Sequence, residues 1–450
     1  MRIDRIIVSG LFDRFNHDLV FKPDERITIM IGPNGFGKTM ILRIVNALFN
    51  QPLRTLARMP FEEVAVCFDD KSHLSVARKP SNAQSRDAES ELKLSYQNPD
   101  STIADSFQPS KIDPRELPFP VGAIDEFVPF LDQVGPAEWR HRMTAETLEL
   151  EDVLERFSDE LPRGESLLTP TTPDWLKRIR TAIPVRFIDT ERLTHPLPAR
   201  RPAYWSHPPE GSLRIQRTVR RYSDELAERV KKTLSDYGSR AQALDRTFPV
   251  RLVDEPPKPD YTMTSLRREL DEVEAKRARL VEAGLLAQEL EGWEVPSLEK
   301  VDEARRGVLA VYARDAREKL SIFDDLYARI DVLKRIANSR FLHKRVSVGP
   351  DGLGVFSSDG SKLELEMLSS GEQHELVILY ELLFRVPNNA FILFDEPELS
   401  LHVAWQEKFL DDLEDMAKIS KFRVLLATHS PQIIGDRWDL TVELRGPNDQ

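Results

Sequence analysis

The sequence predicts an α/β fold with a mixed or parallel sheet at its core. Apolar runs rich in β-branched residues recur at Ile27-Thr28-Ile29-Met30-Ile31, Phe391-Ile392-Leu393-Phe394 and Phe422-Arg423-Val424-Leu425-Leu426-Ala427. Runs of that length without polar alternation are strands buried on both faces. Each ends in residues suited to chemistry. Between the first two lies a long stretch with the three-and-four spacing of helices.

An N-terminal arm precedes the first buried strand. Arg2 to Gly10 alternates around Ile3, Ile6 and Val8, and a second short strand, Asp18 to Phe21, follows a turn. This predicts an antiparallel β subdomain. The first buried strand then opens into Gly32-Pro33-Asn34-Gly35-Phe36-Gly37-Lys38-Thr39, a match to G-x-x-x-x-G-K-[ST]. Met40 to Phe49 has helical spacing, so the loop sits at a helix N-terminus, whose N–H groups and dipole favour phosphate. Asn34, Gly35, Gly37, Lys38 and Thr39 are the candidate ATP-binding residues. Lys38 would reach the β- and γ-phosphates, and the Thr39 hydroxyl would ligate Mg²⁺.

The second run delivers Asp395-Glu396 to the C-terminal end of its strand. Asp395 would hold Mg²⁺ and Glu396 would polarise the water that attacks the γ-phosphate. Taken alone, either carboxylate is also a normal cap on the next turn. The third run ends in Thr428-His429-Ser430-Pro431, one helix plus one strand after Asp395. Neighbouring parallel strands would bring His429 to the γ-phosphate.

Together with Leu368-Ser369-Ser370-Gly371-Glu372-Gln373-His374, these motifs resemble the ATP-binding-cassette superfamily, in its soluble branch of SMC, RecF, RecN and OLD-like phage-defence ATPases. The resemblance covers about residues 1–80, 183–195 and 346–445. It implies an ABC ATPase head, ATP and Mg²⁺ as cofactors, and Lys38, Glu396 and His429 as the catalytic set. It also implies that Ser370 and Gly371 of one copy close over ATP held by another, with Glu372 as a further ATP-binding candidate. Two composite sites would form in a head-to-tail dimer or higher homo-oligomer. Glu398-Leu399-Ser400-Leu401-His402 matches the D-loop, with Ser400 and Leu401 at its centre. Gly10-Leu11-Phe12 is similar to a detail of OLD-like members. The family's Mg²⁺-shell glutamine has no plain counterpart. Pro184 to Asp189 is a further strand running into Thr190-Glu191-Arg192, where OLD-like relatives carry Thr-Gln-Arg. Glu191 is either a third metal ligand or a strand-terminal acidic turn, and Gln51 and Gln97 are the other candidates.

At 450 residues the chain has material for one large or two moderate cores. No stretch approaches the roughly 20 apolar residues of a membrane span. The N-terminus begins with a strand and lacks a signal-peptide layout, which predicts a cytoplasmic protein without a membrane partner. The one cysteine, Cys67 in Val64-Ala65-Val66-Cys67-Phe68, excludes internal disulfides and cysteine-ligated zinc, and is expected as a small core residue. A net charge of −12 argues against a wholly nucleic-acid-binding surface. One basic segment stands out: Arg200, Arg201, Arg214, Arg217, Arg220, Arg221, Lys231 and Lys232, with Tyr204 and Trp205. It is either a nucleic-acid contact or a solvated helix face.

The expected domains are an N-terminal lobe (1–212, with an irregular, partly helical insert at about 80–175), a short coiled-coil-like insertion (213–345) and a C-terminal lobe (346–450). Val219, Tyr222, Leu226, Val230, Tyr237 and Leu244 mark one helix of the insertion. After Pro256-Pro257, Leu266, Leu270, Val273 and Leu280 mark another, and Leu320, Phe323, Tyr327 and Ile330 a third. Arms of about 30 residues would reach roughly 45 Å. They form either a compact projection or a packed helical subdomain. The short stretch after His429 leaves no room for the nuclease domain of many OLD-like proteins, so an effector such as a nuclease is expected from a separate polypeptide. The leading expectation is an anti-phage ATPase of the PARIS or Septu kind. The alternatives are a RecF-like DNA-repair clamp and a non-hydrolysing, ATP-dependent scaffold.

Overall fold

The computed structural model describes residues 1–51, 53–79, 91–99, 105–109, 119–128, 130–142, 147–150, 153, 157, 172–189, 211–254, 262–287, 303–399, 401 and 403–446. The chain divides into two compact units, one of Met1–Asp189, Pro387–Pro397 and Phe422–Gln450, the other of Thr190–Val386 and Glu398–Lys421. This interleaved division differs from linear boundaries at 212 and 345. The cause is the sheet of the first unit, which takes strands from both ends of the chain.

That sheet is parallel throughout. Among the described residues its order is Val185–Asp189, Phe391–Asp395, Arg423–Ala427, Ile27–Ile31, Thr441–Glu443. All five residues of Phe391–Asp395 are buried, as a central strand covered on both faces requires. A second, antiparallel sheet runs Phe15–Val20, Ile3–Leu11, Glu63–Phe68, His73–Lys79, Glu91–Gln97, Asp105–Phe107. Between the sheets lies the helix Lys38–Asn50. Its Ile41, Leu42, Ile44, Val45 and Leu48 join Ile6, Val8, Val64 and Val66 of one sheet to Phe391, Leu393 and Leu425 of the other in a single core. The far end of the helix is also tied down. Arg180 donates to the carbonyls of Leu48 and Gln51, each at 3.0 Å, placing a cation on the negative end of the helix dipole.

One expectation is extended and one corrected in this unit. The described part of 80–175 contains the strands Glu91–Gln97, Asp105–Phe107, Leu131–Gly135, Glu138–His141 and Thr147–Glu149 besides helical residues at Val121–Ala123, Ile124–Phe127, Leu150 and Val153, before the helix Asp174–Ala182. Strands of three to seven residues are too short to declare a period. Cys67 is half-buried and not in the core. Val64, Val66 and Phe68 face inward, so the two-residue period turns Cys67 to the other side.

The second unit is mainly helical. Gly211–Asp254 spans 44 residues, roughly 66 Å at 1.5 Å per residue, and exceeds the expected arm because it starts before the apolar repeat and continues through Pro249. The third expected helix is two, Glu303–Ser321 and Asp324–Arg340, divided just before Asp324 and Asp325, which occupy the first turn of the second. The long helix packs on the helix Ser370–Tyr380, with the Tyr222 ring 4.6 Å from that of Tyr380, and on Glu303–Ser321 through Lys319 and Asp245. These contacts lie within the second unit.

A buried ionic group ties this unit together. Arg340 donates to both Glu375, on Ser370–Tyr380, and Asp412, on Phe409–Ser420. Burial pushes the Glu375 carboxyl up to about 7, against the pull of Arg340, and pushes Asp412 upward as well. Folded Glu375 thus keeps its proton between the ordinary value of 4.5 and about 7, while the unfolded chain loses it, so stability falls as pH rises through that window. Glu375→Gln should remove this part of the fall. Urea unfolding at pH 5 and pH 8 should show the variant losing about 2 kcal/mol less than wild type across the interval. Parallel losses in the two proteins would refute the assignment.

Candidate nucleotide site

A parallel sheet delivers all its C-terminal strand ends to one edge. The register sets Asp189 beside Asp395, Asp395 beside Ala427 and Ala427 beside Met30. The phosphate loop, Asp395-Glu396 and Thr428-His429 therefore leave the sheet together. Thr39 Oγ1 donates to Asp395 Oδ1 at 3.1 Å, joining residues 356 positions apart. These are the two hard oxygen donors expected at Mg²⁺. An ion that keeps several waters and takes the rest of its shell from phosphate suits such a pair.

Within the loop, Gly37 takes φ +89 as N-cap of Lys38–Asn50, and a Cβ there would lie 2.3 Å from Leu11 Cδ2. Gly35 is also left-handed, at φ +87. Lys38 is 5% exposed, and its Nζ donates to the carbonyls of Gly32 at 2.7 Å and Pro33 at 3.1 Å, which folds the ammonium over its own loop. Asn34 and Gly35 are exposed at the tip. No acidic residue occupies the first turn of the helix, so its positive end is not neutralised from within.

On the opposite strand end, Glu396 is half-buried and adopts φ +43. Its N–H donates to the Ala427 carbonyl at 2.9 Å. Left-handed backbone is costly for a residue with a Cβ and gathers at functional sites. His429 is exposed at the same edge. The preceding Thr428 is fully buried, its N–H reaching the Met30 carbonyl at 3.4 Å and its Oγ1 accepting from the Ser430 N–H at 3.0 Å. This turn fixes where His429 emerges.

Ser370, Gly371 and Glu372 belong to the second unit. Ser369 caps the helix Ser370–Tyr380 in a capping box with Glu372, whose Oε2 accepts from the Ser369 N–H at 2.8 Å. Lys344 Nζ holds both Glu372 oxygens, at 2.8 and 2.7 Å. Burial pushes this carboxyl up, yet Lys344 and Ser369 together hold it below its ordinary value. Glu372 is thus engaged by the cap and by Lys344. Ser370 is exposed, and a Cβ at Gly371 would meet nothing within 4 Å.

The other candidates separate. Glu191 and Ser400 lie outside the described residues, as do Arg200, Arg201, Tyr204 and Trp205. Leu401 is buried. Gln51 caps the far end of Lys38–Asn50, roughly 20 Å from the loop at 1.5 Å per residue, and Gln97 pairs with His73 in the antiparallel sheet. Neither reaches the site. Arg214 and Arg217 lie on Gly211–Asp254, where only their backbone is described. Arg220 pairs with Glu366 at 3.2 Å, Arg221 with Glu225 at 3.8 Å and Lys231 with Glu228 at 3.4 Å. These three cations have carboxylate partners within their own unit. Sequence reasoning missed Lys344 and also His17, whose ring reaches the loop carbonyl of Phe36. The signal for His17 was its position at an inward alternation of Phe15–Val20.

Residues 286–435 match the family described as "AAA domain, putative AbiEii toxin, Type IV TA system". One third of the chain is AAA-like in sequence. Protein ea59 of Escherichia phage lambda is 28% identical over 123 residues, 27% of this chain; the match spans only 23% of that protein's length. Among solved structures, the Smc head domain from Pyrococcus furiosus with an extended coiled coil, bound to the C-terminal domain of ScpA, aligns at 13% identity over 99% of this chain and 94% of that one, with a TM-score of 0.32. The SMC head domain from Thermotoga maritima aligns at 11% identity over 98% and 94%, with a TM-score of 0.31.

The loop geometry makes a direct prediction. Gly37→Ala forces a Cβ onto Leu11 in a left-handed conformation, so it should destabilise the chain by at least about 1 kcal/mol and abolish ATP binding. Thermal melting followed by circular dichroism, with titration of a fluorescent ATP analogue, tests both. Unchanged melting and binding would contradict the role given to the close approach of Leu11 to Gly37.

Proposed function

We propose that the chain is an ABC-type ATPase that binds ATP with Mg²⁺ and hydrolyses it at composite sites formed between two copies. The observation that carries this reading is the hydrogen bond from Thr39 to Asp395, which unites the phosphate loop with the acidic strand end. Lys38 and the loop N–H groups hold the triphosphate. Thr39 and Asp395 would hold Mg²⁺, which would supply positive charge against the phosphates. Glu396 orients and polarises the attacking water, and His429 contacts the γ-phosphate. The exposed Ser370 and the half-buried Gly371 serve the site of a second copy.

The finer reading is that this ATPase regulates a separately encoded effector, such as a nuclease, in anti-phage defence. The description of the matching family as a putative toxin of a type IV TA system supports a two-component arrangement, and the defence role rests on the resemblance of the motifs to OLD-like ATPases.

Steady-state hydrolysis tests the central claim. Glu396→Gln should lower turnover by about 10²–10⁴-fold while still binding ATP, whereas Lys38→Ala should lose binding. Ser370→Arg should bind ATP normally and fail to hydrolyse it, since its serine acts across the interface. Equal turnover in Glu396→Gln and wild type would remove Glu396 as the base.

A further inference from the structure

An anion held by backbone N–H groups requires each peptide of the loop to face the right way. One peptide here is held from outside the loop. His17, on Phe15–Val20, is 3% exposed, and its Nε2 lies 2.9 Å from the Phe36 carbonyl oxygen. A carbonyl only accepts, so this nitrogen carries the proton. The other ring nitrogen, Nδ1, is buried without a hydrogen-bond partner among the described residues. Burial pushes the imidazole below its ordinary pKa, against the opposing pull of the Phe36 carbonyl. A second N–H on that ring would have no acceptor, so the neutral Nε2–H tautomer is the one that fits.

Aromatic packing fixes the ring. His17 stacks on Phe15 with centroids 5.8 Å apart and planes 13° from parallel, and Phe15 packs on Phe36 at 5.2 Å. The Phe36–Gly37 peptide is trans, so the Gly37 N–H points opposite to the carbonyl that His17 holds. Gly37 is left-handed and has little rotational restraint of its own. The residues on either side are held by the Phe36 N–H to the Pro33 carbonyl at 3.4 Å and by the Ile41 N–H to the Gly37 carbonyl at 2.8 Å, and the bond from His17 holds the peptide between them.

We propose that His17 is a positioning residue of the phosphate loop, fixing the Phe36–Gly37 peptide so that the Gly37 N–H is presented to the phosphates of a bound nucleoside triphosphate. The proposal rests on the nucleotide-site reading above. It assigns His17 no contact with the nucleotide. The donor, and not the ring, is what the loop requires, so a side chain that restores an N–H should restore binding.

The test compares wild type, His17→Gln, His17→Phe, His17→Leu and Lys38→Ala by titration with a fluorescent ATP analogue, alongside the melting temperature of each without nucleotide. His17→Gln keeps a side-chain N–H donor; His17→Phe keeps the ring without one. His17→Phe should bind about tenfold more weakly than wild type, and His17→Gln within about threefold of it, with similar melting temperatures. His17→Leu supplies the same comparison if the phenylalanine does not fold. Wild-type binding in the apolar variants, or a loss shared by His17→Gln and matched by lowered melting, overturns the proposal. Wild type binding no better than Lys38→Ala overturns the nucleotide-site reading, and this inference with it.

Discussion

The helix Lys38–Asn50 sits between two sheets, and everything at the nucleotide site depends on its staying there. An anion site made of N–H groups works only if those groups are already oriented, because reorienting them on binding would consume the interaction. The helix has no freedom to shift. Seven of its residues from Ile41 to Phe49 are buried, and each large side chain contributes about 1.5–3 kcal/mol against exposure. Arg180 and the Asn50 amide, which donates to the Val185 carbonyl at 3.0 Å, hold the opposite end. The remaining freedom lies in the glycine-rich turn before the helix. Leu11 and His17 of the antiparallel sheet meet that turn, which gives the N-terminal strands a role beyond covering the core.

The second unit orders its key helix by charge instead. Ser370–Tyr380 is held at its first turn by Lys344, in its middle by Arg340 and at its end by Tyr222 stacked on Tyr380. One guanidinium shared by two buried carboxyl groups, of which Glu375 holds its proton up to about pH 7, is an expensive arrangement, and an apolar replacement of similar shape is often as stable. Its value is directional. A hydrophobic patch tolerates a helix that rotates or slides by part of a turn, whereas hydrogen-bonded ions lose most of their energy on the same displacement. Ser370 and Gly371 project from a helix whose azimuth is fixed in this way.

The parallel sheet was legible because its strands announce themselves as unalternated apolar runs with polar chemistry at one end. Neighbouring strands then necessarily present those ends together, which places Asp395, Glu396 and His429 beside the phosphate loop from the sequence alone. Cys67 was misplaced because one apolar stretch hid an edge between two faces, and only pairing with Ile3–Leu11 decides which alternate residues turn inward. The span 80–175 was opaque for a related reason: short antiparallel strands gain definition from partners, not from their own pattern. Lys344 and Arg340 had no sequence signature, and the inward alternation that places His17 does not name its partner. Their partners are 28, 35 and 19 residues away, at separations set by how elements stack and not by any helical or strand period.

The two lips of the sheet edge treat backbone strain differently. Gly35 and Gly37 enter the left-handed region without a Cβ to obstruct them, while Glu396 enters it at a cost of roughly 1–2 kcal/mol. Glycine or asparagine would relieve that cost. The conformation is enforced from both sides, since Asp395 and Pro397 are buried and the Glu396 N–H is bound to the neighbouring strand. Neither glycine nor asparagine supplies a carboxylate, and a carboxylate beside the Thr39–Asp395 pair is what water activation at a γ-phosphate requires. Positive φ alone does not mark a site, since Lys71, Asn389 and Lys421 also adopt it; at Glu396 it coincides with the strand end that carries the Thr39–Asp395 pair, where the proposed water activation needs a carboxylate.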